Sequence, residues 1–551
     1  MTETQPPATD LPATAPRKVG LIRSSMIYSA LTLVSRFMGL ARDLVITAKL
    51  GASQTIAADA YYTALTFPNL FRRIFAEGAF AAAFVPSYSR KLEGEGSAAA
   101  DRFAQDALAT VAVATIALTL VIQLAMPWLM YVYSPGYVSD PAKFKLAIVL
   151  TQITMPYLPC MVIAALFSGI LTARGRFIVY GLYPTLLNAV MLLVVLPQRE
   201  PVRAAYAASF GVIVAGVLQA ALCWWGASRS GTRIRLVRPR LTPEIKALIR
   251  LAVPAAFANS AVQINLFISA ILASQVAGMR AWLNVAERFY QLPLSLVGTA
   301  IGVALLPRLS QAFQRGDHAD AQAAMDQGLV FSLALSLPAA AALTAMPVYL
   351  VDGLFARGAF THHDAAASAL ILFHYGWGLP AFVLVKILQP AFFARQDTRT
   401  PMRFSLISVG LNIVFGVSLF YTVGFQGIAI ATSLATWITV AQMAVKLARQ
   451  DAYRPSARAW FKMTRVAAAS VVMGVLLAVA AHFRAHLEAP LAHLSFGGLH
   501  AKEIGVLLLA AAGGALYPVL LFAFGGVTPS EVRAAFRRGR GQAAAPSADL
   551  P

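Results

Sequence analysis

The feature that most constrains this chain is a series of apolar segments, each long enough to cross a bilayer, that recurs from near residue 25 to near residue 526. About 20 residues at a 1.5 Å rise span the roughly 30 Å hydrocarbon core. Fourteen such segments can be read, at 25–50, 54–85, 106–133, 145–172, 177–197, 204–227, 247–276, 280–307, 326–351, 367–393, 404–423, 426–447, 462–484 and 503–526. Lipid offers no partner for backbone N–H and C=O groups, so each segment has to be helical. The expected fold is an all-α polytopic membrane protein of about 14 transmembrane helices. Pro68, Pro156, Pro184, Pro293, Pro338 and Pro380 fall inside these segments. Helices broken this often suit transporters, where neighbouring helices or cavity water take up the freed carbonyls.

Composition agrees, with 58% of residues hydrophobic and 13% charged, where a soluble domain has about 25% charged. The formal charge of +21 does not point to nucleic acid, because the basic residues lie in short loops between apolar runs. That is the pattern of the positive-inside rule. It places both termini in the cytoplasm, puts the densest basic cluster, Arg229–Arg250, on the same side, and leaves Lys143 in a loop of the outer side and Arg280 at the outer end of the eighth span. The chain then divides into a disordered cytoplasmic tail (1–24), a six-helix lobe (25–228), a basic linker (229–246), a second six-helix lobe (247–450), an extra helix pair (451–528) and a basic tail (529–551). The lobes echo each other: Ile170-Leu-Thr-Ala-Arg174 with Asn188 resembles Phe392-Phe-Ala-Arg395 with Asn412, and Phe84-Val-Pro86 resembles Leu305-Leu-Pro307. Repeats of this kind place a substrate at the lobe interface and move by rocking.

Catalysis is not expected. There is no phosphate loop of the G-x-x-x-x-G-K-[ST] type, and no large loop to scaffold a catalytic acid. Cys160 and Cys223 lie apart in apolar runs, and the histidines show no ligand spacing, so neither a metal nor another cofactor is expected. Transport must draw on a gradient, the membrane potential or substrate flux, and no coupling ion is assigned.

The segment Ser35–Pro86 breaks the apolar pattern, carrying Arg36, Arg42, Asp43, Asp59, Arg72, Arg73 and Glu77. An ionisable group at the bilayer centre costs from about 2.5 to over 10 kcal/mol, so several together imply a polar cavity. With the first span ending near Leu50, Arg42 lies about 12 Å deep and Arg36 about 21 Å. Arg288, eight residues into the eighth span beside Glu287, lies about 12 Å deep from the same side. Arg36 and Asp43 are seven apart and share a helix face, which predicts that they pair and leave Arg42 free for a ligand. Pairing of Arg42 with Asp59 is the structural alternative. Cations exceed acids at these depths, and guanidinium forks suit phosphate oxygens. Arg73 and Glu77 are candidate gate residues near the cytoplasmic mouth, and Lys386 is a further buried cation in the tenth span.

Several motifs resemble those of the MurJ (MviN) family of lipid II flippases, in the multidrug/oligosaccharidyl-lipid/polysaccharide exporter superfamily. They are Ser35-Arg36-x-x-Gly39-x-Ala41-Arg42-Asp43, Ala58-Asp59-Ala60-Tyr61, the run Pro68-Asn-Leu-Phe-Arg72-Arg73-Ile-Phe-Ala-Glu77-Gly-Ala-Phe80, Pro184-Thr-Leu-Leu-Asn188 and Arg395-Gln-Asp397-x-x-Thr400-Pro401. The resemblance implies a protein of the bacterial cytoplasmic membrane that flips the undecaprenyl-diphosphate-linked disaccharide-pentapeptide, lipid II, to the outer leaflet. It implies substrate contacts at Arg36, Arg42, Arg72 and Arg288, with Asp43, Asp59 and Glu287 as acidic partners. It also implies a groove for the polyprenyl tail on the last two spans, and makes membrane lipids and the cell-wall synthesis machinery the expected surroundings. Thr66 stands where some relatives carry a basic residue, and Glu287 where some carry Asp. A drug or cation antiporter of the same superfamily, or a flippase for another polyprenyl-diphosphate oligosaccharide, is the competing reading; an antiporter would favour a net acidic lobe, whereas the charges here are net basic.

Overall fold

The structure is a computed structural model, and it describes residues 18–74, 80–235, 237–491, 493 and 500–526. All regular structure among these residues is helical. The first group runs from α1 (Lys18–Leu50) and α2 (Ile56–Ile74) through α3 (Phe80–Gly94), α4 (Ser97–Tyr133), α5 (Pro141–Thr154) and α6 (Tyr157–Ala173) to α7 (Phe177–Val195) and α8 (Pro201–Arg229). The second runs from α9 (Pro243–Ala273) and α10 (Met279–Gln314) through α11 (His318–Ala345), α12 (Pro347–Phe355) and α13 (His362–Phe393) to α14 (Arg399–Val423) and α15 (Gly427–Arg449). The chain continues into α16 (Ala457–His482), the short α17 (Arg484–Glu488) and α18 (Ala501–Ala523).

Among the described residues, nine helical stretches are long and apolar enough to cross a membrane: α4, α5 with α6, α8, α11, α13, α14, α15, α16 and α18. By contrast, α1, α2 and α10 each carry at least three charged residues within their described lengths, and each gives at least two of them to one cavity. Of the run 54–85 the structure describes α2 and α3, and residues 75–79, and so the candidate Glu77, lie outside the described residues. The run 145–172 breaks at Met155-Pro156, where proline supplies no N–H and restrains the residue before it.

Starts are written locally. Asp140 accepts from Lys143 N–H at the head of α5, Thr242 from Ile245 N–H at α9, and Ser456 from Ala459 N–H at α16. Pro141, Pro201 and Pro243 take the first helical position, where no N–H is needed.

Packing within the two groups follows one scheme. α6 lies between α4 and α8 as α13 lies between α11 and α15; α7 packs on α8 as α14 packs on α15; α1 meets α7 as α9 meets α14. Side chains repeat the scheme. Asp101 on α4 accepts from Tyr88 Oη (3.2 Å) and from the backbone N–H of Arg233 just beyond α8 (2.9 Å). Asp326 on α11 likewise accepts from Tyr453 Oη (2.6 Å) and from Ser456 N–H just beyond α15 (3.4 Å). α16 lies on α11, and α18 on α16 and α12. Arg357 pairs there with Glu503 at 3.3 Å, and Arg484 with Asp352 at 3.3 Å.

Hydrogen bonds between the two groups gather at the end of the molecule that holds Gly51. Ala359 N–H donates to Ala48 O (2.8 Å), Ser53 N–H to Asp364 Oδ1 (3.0 Å), Gly136 N–H to Ser274 Oγ (3.2 Å) and Gly278 N–H to Asp59 Oδ2 (2.9 Å). Two glycines make this closeness possible. Gly51 (φ 72°) and Gly278 (φ 83°) adopt left-handed backbone, and a Cβ would stand 2.7 Å from Ala359 O at the first and 2.6 Å from Ser53 N at the second.

Candidate functional site: a cationic cavity between the helix groups

A cavity of about 610 Å³ lies between the groups, walled by α1, α2, α9 and α10 together with parts of α6 to α8. Arg42, Asp43, Arg72, Arg73, Glu287 and Arg288 all line it. A second cavity of about 620 Å³ meets the first at Arg42 and Arg288 and adds Arg36, Asn188, Ser295 and Lys386. The residues lining the second cavity include four cations and no acid.

Asp43 is the organising group. Its Oδ1 accepts from Arg42 Nε (2.9 Å) and Nη2 (2.7 Å), and its Oδ2 meets Arg288 Nε at 2.5 Å. The expected pairing of Arg36 with Asp43 is therefore corrected, as is the expectation of a free Arg42. Seven residues share a face but stand about 10.5 Å apart along the axis. The adjacent Arg42 and the incoming Arg288 reach Asp43 first, and Arg36 Nη1 instead donates to Ser295 Oγ on α10. Arg42 is held on its other side by Asn188, whose Oδ1 accepts from Nη1 at 3.0 Å while its Nδ2 donates to Ser35 O at 2.9 Å. Those two bonds fix which way the amide points.

Asp59 is not on the cavity wall and does not meet Arg42. It is fully buried, accepting from Lys143 Nζ at 3.1 Å and from Gly278 N–H at 2.9 Å. Lys143, expected in an outer loop, is thus a buried partner, because α5 folds its first turn against α2. Arg280, expected at the outer end of the eighth span, is buried and lines the cavity. Its Nη2 donates to Ser134 Oγ (2.9 Å), Ala270 O (2.9 Å) and Tyr133 O (3.3 Å), and its guanidinium lies over the ring of Tyr133, 4.7 Å from the centroid.

Glu287 accepts from Gln291 Nε2 (3.3 Å), and Arg72 Nε donates to Asn69 Oδ1 (3.2 Å). Arg73 and Lys386 are exposed, each on the edge of a cavity. Among the described residues no group of three or more His, Cys, Asp or Glu side chains is placed to hold a metal ion. Reading the sequence missed Asn188 and Arg280 as members of this site. Asn188 carried a signal, since it closes the Pro184–Asn188 motif, whereas Arg280 looked like any basic residue at a span's end.

Two packed groups of apolar helices around a net basic cavity define a polytopic membrane transporter. The family model of lipid II flippase MurJ matches residues 46–494. The probable lipid II flippase MurJ of Rhizobium tropici is 37% identical over 529 residues, covering 95% of this chain and 98% of the relative. That of Rhizobium meliloti (strain 1021) is 36% identical over 526 residues, covering 95% and 97%. Among solved structures, a lipid II flippase MurJ in an inward closed conformation superposes with a TM-score of 0.73 at 22% identity, covering 91% of this chain and 98% of that one. An inward-facing multidrug resistance MATE family transporter of the MOP superfamily superposes with a TM-score of 0.61 at 15% identity, covering 78% and 98%. The chain belongs to the MurJ family of lipid II flippases, a family of transporters and not of catalytic enzymes.

Proposed function

We propose that this protein carries lipid II from the inner to the outer leaflet of the bacterial cytoplasmic membrane by alternating access. The observation that carries the mechanism is the Arg42–Asp43–Arg288 cluster on the cavity wall, where one carboxylate faces two guanidinium groups from different helix groups. The cluster stays net positive, and its outer N–H edges suit diphosphate oxygens, which bind guanidinium groups with short, charge-assisted bonds. Arg36 and Lys386, on the adjoining cavity, extend the same field, while Arg72 and Arg73 guide the head group at the mouth. Asp43 holds Arg42 and Arg288 together from the two helix groups, and Glu287 adds a second acid to the cavity wall.

Fourteen spans with both termini in the cytoplasm are the topology that fits this reading, with 25–228 and 247–450 as the rocking lobes. The Gly51 end is then the outer side, and the hydrogen bonds gathered there describe an inward-facing arrangement. α16 and α18 turn apolar side chains such as Val471, Val475, Leu507 and Leu508 outwards, a surface suited to the polyprenyl tail. The cell-wall synthesis machinery is the proposed consumer of the delivered precursor.

The test is leaflet-resolved delivery of lipid II by protein reconstituted in vesicles. Arg42→Ala and Arg288→Ala are each expected to abolish delivery while insertion and folding persist. Wild-type delivery by either variant would show that the cavity cluster does not hold the substrate.

A further inference from the structure

Arg280 lines the cavity, and no ion pair joins it to a carboxylate among the described residues. Three bonds leave from Nη2, but Nε and Nη1 are buried with no hydrogen-bond partner. The rings of Tyr133 (4.7 Å) and Tyr137 (5.4 Å) hold the guanidinium in place without satisfying those N–H groups. The buried acid of this end, Asp59, pairs with Lys143 at 3.1 Å instead. Capping the carbonyl of Ala270 near the end of α9 accounts for one nitrogen and leaves two unexplained. Leaving buried charged donors unmade is costly, so a chain that keeps them has a partner for them elsewhere in its cycle.

The partner's chemistry follows from position. Arg280 and Arg288 stand on the same helix, eight residues apart, which is about 12 Å along the axis. Besides Arg72 and Arg73, the cavity therefore has two cationic centres: Arg42 with Arg288 in its middle, and Arg280 towards the Gly51 end. We infer that Arg280 is a second anion subsite, taking a carboxylate of the peptide carried by the head group while the diphosphate sits at Arg42 and Arg288. This inference rests on the lipid II reading above. It assigns the peptide end of the substrate to the Gly51 side of the cavity. It also makes acidity of the peptide a requirement for tight binding.

Equilibrium binding to the purified protein in lipid nanodiscs tests this, with lipid II and lipid II whose peptide carboxylates have been amidated as the two probes. A charge-assisted contact of this kind is worth about tenfold in Kd, so amidation is expected to weaken wild-type binding by about that factor. Arg280→Met is expected to bind both probes equally, at the level of the amidated one. Equal binding of both probes by the wild type overturns the inference without any variant having to fold, and so does a methionine variant that still discriminates. Failure of the wild type to bind either probe overturns the lipid II reading itself, and this inference with it.

Discussion

Asp43 and Asp59 stand sixteen residues apart in one short stretch, each beside a cation, and they do opposite things. Asp43 lies on the cavity wall with arginines that remain partly accessible, their side chains 16% and 36% exposed. Asp59 is sealed, with a nearly buried lysine on one side and a backbone N–H of the other helix group on the other. The first arrangement keeps positive charge available to a ligand, and the second uses it up in holding two helix groups together. What separates them is the partner's reach: a guanidinium at a cavity edge can trade its carboxylate for a substrate oxygen, whereas Lys143 has nowhere else to go.

Breaking this contrast begins with Asp59→Ala. Removing one partner of a buried ion pair costs about 3–5 kcal/mol, because the other charge stays buried without compensation. A thermal unfolding series on the purified protein reads this directly, and a loss below about 1 kcal/mol would mean that Asp59 fastens nothing. Asn188→Ala comes next, at about 1–2 kcal/mol for a buried amide with two bonds. It should also weaken lipid II binding by freeing Arg42; unchanged binding would count against a positioning role. Arg288→Ala should cost less than about 1 kcal/mol, since its ion pair is partly solvated, yet end delivery. Stability and transport thus rank these residues in opposite orders, and parallel rankings would erase the distinction.

The mildest case is Asp397, a half-buried carboxylate between α13 and α14. The side chain and backbone N–H of Thr400 hold it below the usual carboxylate range. A depressed folded-state pKa contributes stability at neutral pH that is lost as the pH falls through it. The difference in Tm between the wild type and Asp397→Asn should therefore narrow on acidification, and a constant gap would rule out the titration.

Apolar run length alone made the helices legible, because lipid leaves the backbone no other choice. The motifs of Ser35–Pro86 made the family legible. Partner choice was not. Heptad spacing favoured Arg36 for Asp43, but spacing along one helix says nothing about a cation arriving from α10. Lys143 was read as a loop residue and Arg280 as an ordinary span end because burial at a helix end depends on which neighbouring helix overhangs it, and that is a property of packing. The span containing Pro156 was counted as one because hydropathy does not register where a proline ends one helix and begins the next.

The bond from Arg233 N–H to Asp101 has a mechanical consequence. It fixes the start of the connection between the helix groups to the first group, and the head of α9 is anchored there as well: Lys91 on α3 pairs with Glu244 at 3.7 Å, and Ile245 and Leu248 share one buried cluster with Phe84, Phe103 and Leu108. Both ends of the connection thus rest on the first group, so the two groups can part at the end opposite Gly51 only by pulling the head of α9 off that cluster or by bending α9 beyond it.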